Sequence, residues 1–317
     1  MTEEEMCRDN MLADTVMLRE VAASRTTITL LLQTLTCVAS NDSVNGYRSG
    51  IQQGERMRVL AIDTSSRDAS AALVEDRGGV VSVCSVESRE GALGARAVLE
   101  LVHAVVTPFV KEAPWPTLAV GTGPGSYTGL RTGLATAQGL AAGWETQVFG
   151  VPILLAGAAA AFDRSESAFV IPKLIANAEE YFCAVYAFGR VNENPHGIEE
   201  GDGREFQITQ IKPLQVVSQD RDLNPSELCA DHGILADEGD FLITQIEDVT
   251  DWKRGGSALW IASLALMTLN PGTRLSSGIR LMPLENCGIC RGQELELVYG
   301  KALQARTLAE RASLVVA

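Results

Sequence analysis

The sequence predicts an α/β protein of two lobes, with mixed sheets flanked by helices, and three observations carry that reading. Apolar, β-branched runs alternate along the chain with longer helical segments, a hairpin pattern opens the series, and a glycine-rich turn at 121–144 joins a strand to a helix. With 317 residues and 46% hydrophobic content the chain can bury a sizeable core and divide into two lobes. Residues 57–162 are assigned to the first lobe and 163–317 to a second, more irregular one that includes the C-terminal segment. Residues 1–56 read as an N-terminal extension or a mispredicted start, since they end in the linker-like NDSVNGYRSGIQQG. Their apolar stretch TTITLLLQTLTCVA is too short to span a bilayer, so neither signal peptide nor membrane anchor is expected.

Taken in order, the run from Arg58 to Asp63 is short and apolar enough for a buried strand. Asp68 to Glu75 and Val80 to Val86 read as its antiparallel neighbours, with Asp76-Arg77-Gly78-Gly79 as the turn between them. A helix follows from Gly94 to Lys111. Its polar stripe is Arg96, Glu100, His103, Thr107 and Lys111, and its apolar residues cover a wider arc than one sheet face requires. Thr117 to Thr122 is the next strand, Gln147 to Val151 another, and Pro152 to Phe162 an alanine-rich helix. Further strands are expected at Ala168 to Ile175, Glu180 to Phe188, Glu205 to Val217 and Phe241 to Ile246. Helices are expected from Pro225 and from Ser257 to Leu269, and Gly189 to Gly203 reads as an acidic surface loop.

The most informative stretch is GTGPGSYTGLRTGLATAQGLAAGW, Gly121 to Trp144. Pro124 with Gly123 and Gly125 keeps the backbone out of helical dihedrals, and Ser126 or Thr128 supplies a capping oxygen, so the helix begins near Ser126. Leu130, Leu134, Ala137 and Ala141 share one face, while Gly129, Gly133, Gly139 and Gly143 punctuate the rest. Each interior glycine costs about 1 kcal/mol against alanine, so close packing has to offset the loss. The loop from Gly123 with Arg131 one turn into the helix has the makings of an anion site. It lacks the Lys-Ser or Lys-Thr pair of a Walker A loop.

Composition narrows the chemistry. A formal charge of −14 opposes direct binding of a polyanion, so a role on RNA requires a basic partner. Seven cysteines in no regular framework fit a reducing cytoplasm. Cys287 and Cys290 have the spacing of half a zinc site, but without a second pair they read as free thiols in a loop. His103, His196 and His232 lie in unrelated segments, so neither a metal site nor a Ser-His-Asp triad can be assembled, and no catalytic residue is assigned.

GPGSYTGLRTGLATAQGLA together with VLAIDTSS, Val59 to Ser66, resembles the TsaB family of bacterial threonylcarbamoyladenosine biosynthesis proteins. IPKLIANAEEYFCAVY is similar to a family strand pair with Asn177 near the usual Asp, and LVYGKALQAR to a closing Val-Tyr-Leu-Arg; Gly94 stands where a histidine is common. The resemblance implies an actin-like (ribonuclease H-like) two-lobed fold. In catalytic members of that superfamily the turn after strand one grips phosphate; here Ser65 replaces its glycine, leaving Asp63, Thr64, Ser65, Gly123, Gly125, Ser126 and Arg131 as a weak anion or nucleotide site. The resemblance further implies a noncatalytic partner of a TsaD-type catalytic subunit and a TsaE-type ATPase. ATP and metal then belong to the partners, tRNA is met only through the complex, and a homodimer is left open for the chain alone. Leu99, Val102, Val106, Gly129, Gly133 and Ala137 are expected at or beneath the helix contact, with Gly133→Leu leaving the fold intact. The alternative is an ATP-dependent phosphotransferase of the sugar-kinase type using Asp63 and the Gly123 to Ser126 loop.

Overall fold

The computed structural model describes residues 56–66, 68–91, 97–111, 114–191, 204–218, 241–246, 256–292, 295 and 297–299. The readings of residues 1–55, of the loop at 192–203 and of a helix from Pro225 lie outside them. The elements below belong to the compact unit Gly54–Thr107 with Pro114–Ala317; of the other unit, residues 108–111 are described.

Strands β1 (Arg58–Asp63), β2 (Ala69–Asp76) and β3 (Val81–Arg89) form an antiparallel meander, and β4 (Thr117–Gly121) and β5 (Val148–Val151) add to it in parallel. β1 is buried along its whole length, as a central strand covered on both faces must be. On one face lie α1 (Val98–Val106) against β2 and β3, and α2 (Tyr127–Trp144) against β1, β4 and β5. The crossover β4-α2-β5 carries the glycine loop at its strand-to-helix turn. The opposite face receives α4 (Gly256–Leu269), against which α3 (Ile153–Ser165) packs.

A second sheet has the order β10-β8-β7-β6-β9, from β6 (Phe169–Ile175), β7 (Glu180–Arg190), β8 (Glu205–Ser218), β9 (Phe241–Gln245) and β10 (Arg280–Pro283). α3 packs against β6, β7 and β9 and also against α4, which itself rests on β1 and β2. These two helices are therefore wrapped on all sides, which is why their sequences are apolar all round: Ile153 to Phe162 is buried without a break. Phe162 at the end of α3 stacks on Phe188 with ring centres 4.1 Å apart, tying the helix to the second sheet. The result is an α/β fold with mixed sheets flanked by helices.

Two short strands escaped the sequence reading, β10 and β11 (Cys290–Arg291), which pairs with β5 at the edge of the first sheet. Cys290 thus lies in a strand and Cys287 in a 3-10 turn, rather than both in a loop. A two-residue strand is too short to show any period, so only the pairing reveals it. The apolar arc of α1 is also narrower in effect than expected. Val98, Leu101, Val102, Val105 and Val106 are buried in one stripe, Leu99 is half-buried, and Glu100, His103, Ala104 and Thr107 face outward.

Candidate functional site

The glycine loop and the turn after β1 are clamped together backbone to backbone. Ser126 caps α2, its side chain accepting a hydrogen bond from the Gly129 N–H at 3.3 Å, while its own N–H donates to the Ser65 carbonyl at 2.6 Å. The Thr64 hydroxyl donates to the Gly129 carbonyl at 2.6 Å. The approach is so close that a Cβ on Gly129 would overlap the Thr64 carbonyl oxygen, one on Gly133 the Thr64 hydroxyl, and one on Gly125 would lie 2.7 Å from the Ser65 Cβ. The close contact that justifies these three glycines is therefore the chain's own β1 turn, not another helix. Gly133→Leu, expected to leave the fold intact, would instead drive a side chain into this turn.

Asp63 ends β1 beneath the clamp. Its carboxylate accepts the Ser65 N–H at 2.9 Å and the Ser257 hydroxyl from the start of α4. Burial pushes its pKa above the ordinary 3.8, and the hydrogen bonds from Ser257 and Ser65 oppose that without cancelling it. Since the folded chain holds this proton more tightly than the unfolded one, Asp63 adds stability below pH 3.8 and withdraws it as pH rises through the folded pKa. Asp63→Asn keeps the shape and an acceptor but never ionises. In thermal melts it should match wild type near about pH 4 and exceed it increasingly towards about pH 8; parallel curves would show that Asp63 does not titrate in this way.

The C-terminal segment crosses the loop. The Val298 N–H donates to the Thr122 carbonyl at 2.8 Å, and the Val298 carbonyl fills the space where a Cβ of Gly123 would stand, a residue that at φ +104° is already in glycine territory. Next to it, Tyr299 lies against Tyr127 with ring centres 4.9 Å apart and ring planes tilted by 44°. Arg131 lies 3.9 Å over the Tyr127 ring, and its Nε donates to the Tyr299 hydroxyl at 3.2 Å.

Of the predicted anion-site residues, the structure thus brings Asp63, Thr64, Ser65, Gly125 and Ser126 together in one clamp, sets Gly123 under the Val298 carbonyl, and turns Arg131 to two tyrosines. Ser257, Val298 and Tyr299 were missed. The signal for the last two was present in the segment LVYGKALQAR.

Of the six residues expected at or beneath a helix contact, Val102, Val106, Gly129, Gly133 and Ala137 are buried and Leu99 is half-buried. Outward on α2 runs a strip of small residues. Ala135, Gly139, Ala142 and Gly143 are exposed, and among the described residues Cβ atoms on Gly139 and Gly143 would meet nothing within 4 Å. The Thr132 and Thr136 hydroxyls fold back onto carbonyls of the preceding turn, each at 2.8 Å, which keeps the strip low.

Cys287 is buried and donates to the Ile208 carbonyl at 3.2 Å, and burial pushes its thiol pKa up, away from the thiolate that metal ligation or redox attack needs. Among the described residues no three His, Cys, Asp or Glu side chains gather as a metal site, and no helix is long and apolar enough to cross a membrane.

Comparison with known proteins adds to this geometry. Residues 111–179, which hold the glycine loop, α2 and α3, match a family model described as "TsaD: tRNA N6-adenosine threonylcarbamoyltransferase". The tRNA threonylcarbamoyladenosine biosynthesis protein TsaB of Escherichia coli is 29% identical over 206 residues, covering 61% of this chain and 84% of the relative. The Haemophilus influenzae TsaB is 30% identical over 171 residues, covering 54% of this chain and 68% of the relative. Among solved structures, YeaZ from Pseudomonas aeruginosa is similar with 24% identity over 53% of this chain and 70% of its own, at a TM-score of 0.38. An Aquifex aeolicus member of the Ppx/GppA family is similar with 12% identity over 51% of each chain, at 0.28. With two thirds of a 30% identical relative spanned, and with the glycine loop, capped helix and opening meander all in place, the chain belongs to the TsaB family of tRNA threonylcarbamoyladenosine biosynthesis proteins.

Proposed function

We propose that this chain is a noncatalytic partner subunit in the formation of threonylcarbamoyladenosine next to the anticodon of tRNA. It supports a TsaD-type catalytic subunit and a TsaE-type ATPase in a reducing cytoplasm, those partners hold ATP and metal, and tRNA is met only through the complex. Family membership supports the pathway. The noncatalytic role rests on one observation, the closure of the glycine loop by the chain itself. A phosphotransferase of this architecture turns loop N–H groups to phosphate. Here the Ser126 N–H is spent on the Ser65 carbonyl and the Ser65 N–H on Asp63, and the Val298 carbonyl, an acceptor that would repel a phosphate oxygen, lies across Gly123. The exposed small-residue strip of α2 is the face on which the partner docks, or a second copy when the chain is alone.

Calorimetry of the isolated chain with ATP and magnesium separates this from the phosphotransferase reading. The expected result is no binding tighter than about 1 mM. Binding at about 10 µM or below, with turnover of ATP in the presence of a sugar, would overturn the noncatalytic role.

A further inference from the structure

Resting on the docking face just proposed, we infer that Arg131, lying over Tyr127 and hydrogen-bonded to Tyr299, is the charged anchor of that face and receives a carboxylate from an aspartate or glutamate of the protein partner. Arg131 is exposed, and it shares one stripe of α2 with Thr128, Ala135, Gln138 and Ala142, at spacings of three and four residues. Its guanidinium is nevertheless held by contacts to two rings. Tyr127 lies under it at 3.9 Å, the Tyr299 ring stands at 5.9 Å, and Nε donates to the Tyr299 hydroxyl. A guanidinium immobilised before binding loses little further freedom when it pairs, and its terminal nitrogens match a carboxylate in a two-pronged fit.

Charge gives the second reason. In a chain carrying 40 acidic against 26 basic residues, a surface arginine ordinarily finds a carboxylate of its own. Arg89 and Arg204 do, pairing with Glu100 and Glu166. Among the described residues none offers Arg131 a carboxylate within ion-pair distance; its neighbours are two neutral tyrosines. Arginine flanked by tyrosines next to residues that permit close approach is the composition of an interface anchor. The net charge of −14 opposes an extended polyanionic RNA backbone more than it opposes a single protein carboxylate.

The test measures affinity of the full chain for the TsaD-type subunit encoded in the same genome, at about 50 mM and about 500 mM salt. Wild type should weaken with salt. Arg131→Ala should bind about tenfold more weakly at low salt and lose most of the salt dependence, Arg131→Lys should lose a few-fold while keeping it, and Tyr299→Phe should fall between wild type and Arg131→Ala. Circular dichroism checks that each variant is folded. Affinity of Arg131→Ala within about twofold of wild type with an unchanged salt slope would overturn the inference. So would loss of tRNA retention by the assembled complex with subunit affinity intact, since the acceptor would then be a phosphate. If Gly139→Leu abolishes binding while Arg131→Ala does not, only this inference falls; if wild type itself does not bind the subunit, the reading of the docking face falls with it.

Discussion

Gly129→Leu is expected to lower the melting temperature by roughly 5–10 °C, while Gly139→Leu, the same substitution ten residues along the same helix, leaves it unchanged or slightly higher. The deciding difference between the two sites is what a side chain would meet. At Gly129 it meets the Thr64 carbonyl, a backbone atom held in place by β1, so neither side can yield without breaking the Thr64 hydroxyl bond to the Gly129 carbonyl. Overpacking of this kind costs about 1–3 kcal/mol or more, and the lost buried hydrogen bond adds about 1 kcal/mol. At Gly139 the side chain enters open space and the helix gains close to 1 kcal/mol of propensity. Differential scanning calorimetry on both variants checks the pair. Equal melting temperatures would mean that the clamp between the β1 turn and α2 yields more easily than its geometry suggests.

Much of this architecture was legible because its signals are local. The strand Arg58–Asp63, the hairpin turn at 76–79 and the start of α2 at its Ser126 cap follow from apolar runs, turn residues and capping chemistry within a few positions. The wrapped helices α3 and α4 were legible as helices, but their all-round apolarity says only that they are enclosed, not by what. What the site is made of depended on distant pairs. Thr64 reaches Gly129 across 65 positions and Ser257 reaches Asp63 across 194, separations at which no period or motif operates. Glycine spacing on α2 announced a close approach without naming its object. Gly129 and Gly133 proved to serve the chain's own turn, whereas Gly139 and Gly143, equal to them in the sequence, meet no other segment among the described residues.

That division makes Gly139 the position at which the proposed role is most directly exposed to test. Two interior glycines that meet no other segment among the described residues weaken α2 by about 2 kcal/mol, and a partner helix approaching along Ala135, Gly139 and Gly143 would offset that cost. The measurement is light scattering on mixtures of the TsaD-type subunit with wild type and with Gly139→Leu, each first verified as folded by its melting curve. Wild type should form a heterodimer. Gly139→Leu, with its helix surface raised by a leucine, should weaken that heterodimer by about five- to a hundredfold, the equivalent of about 1–3 kcal/mol. A Gly139→Leu variant that is stable and pairs with the subunit as tightly as wild type would place the partner elsewhere on the molecule and contradict the docking role assigned to α2.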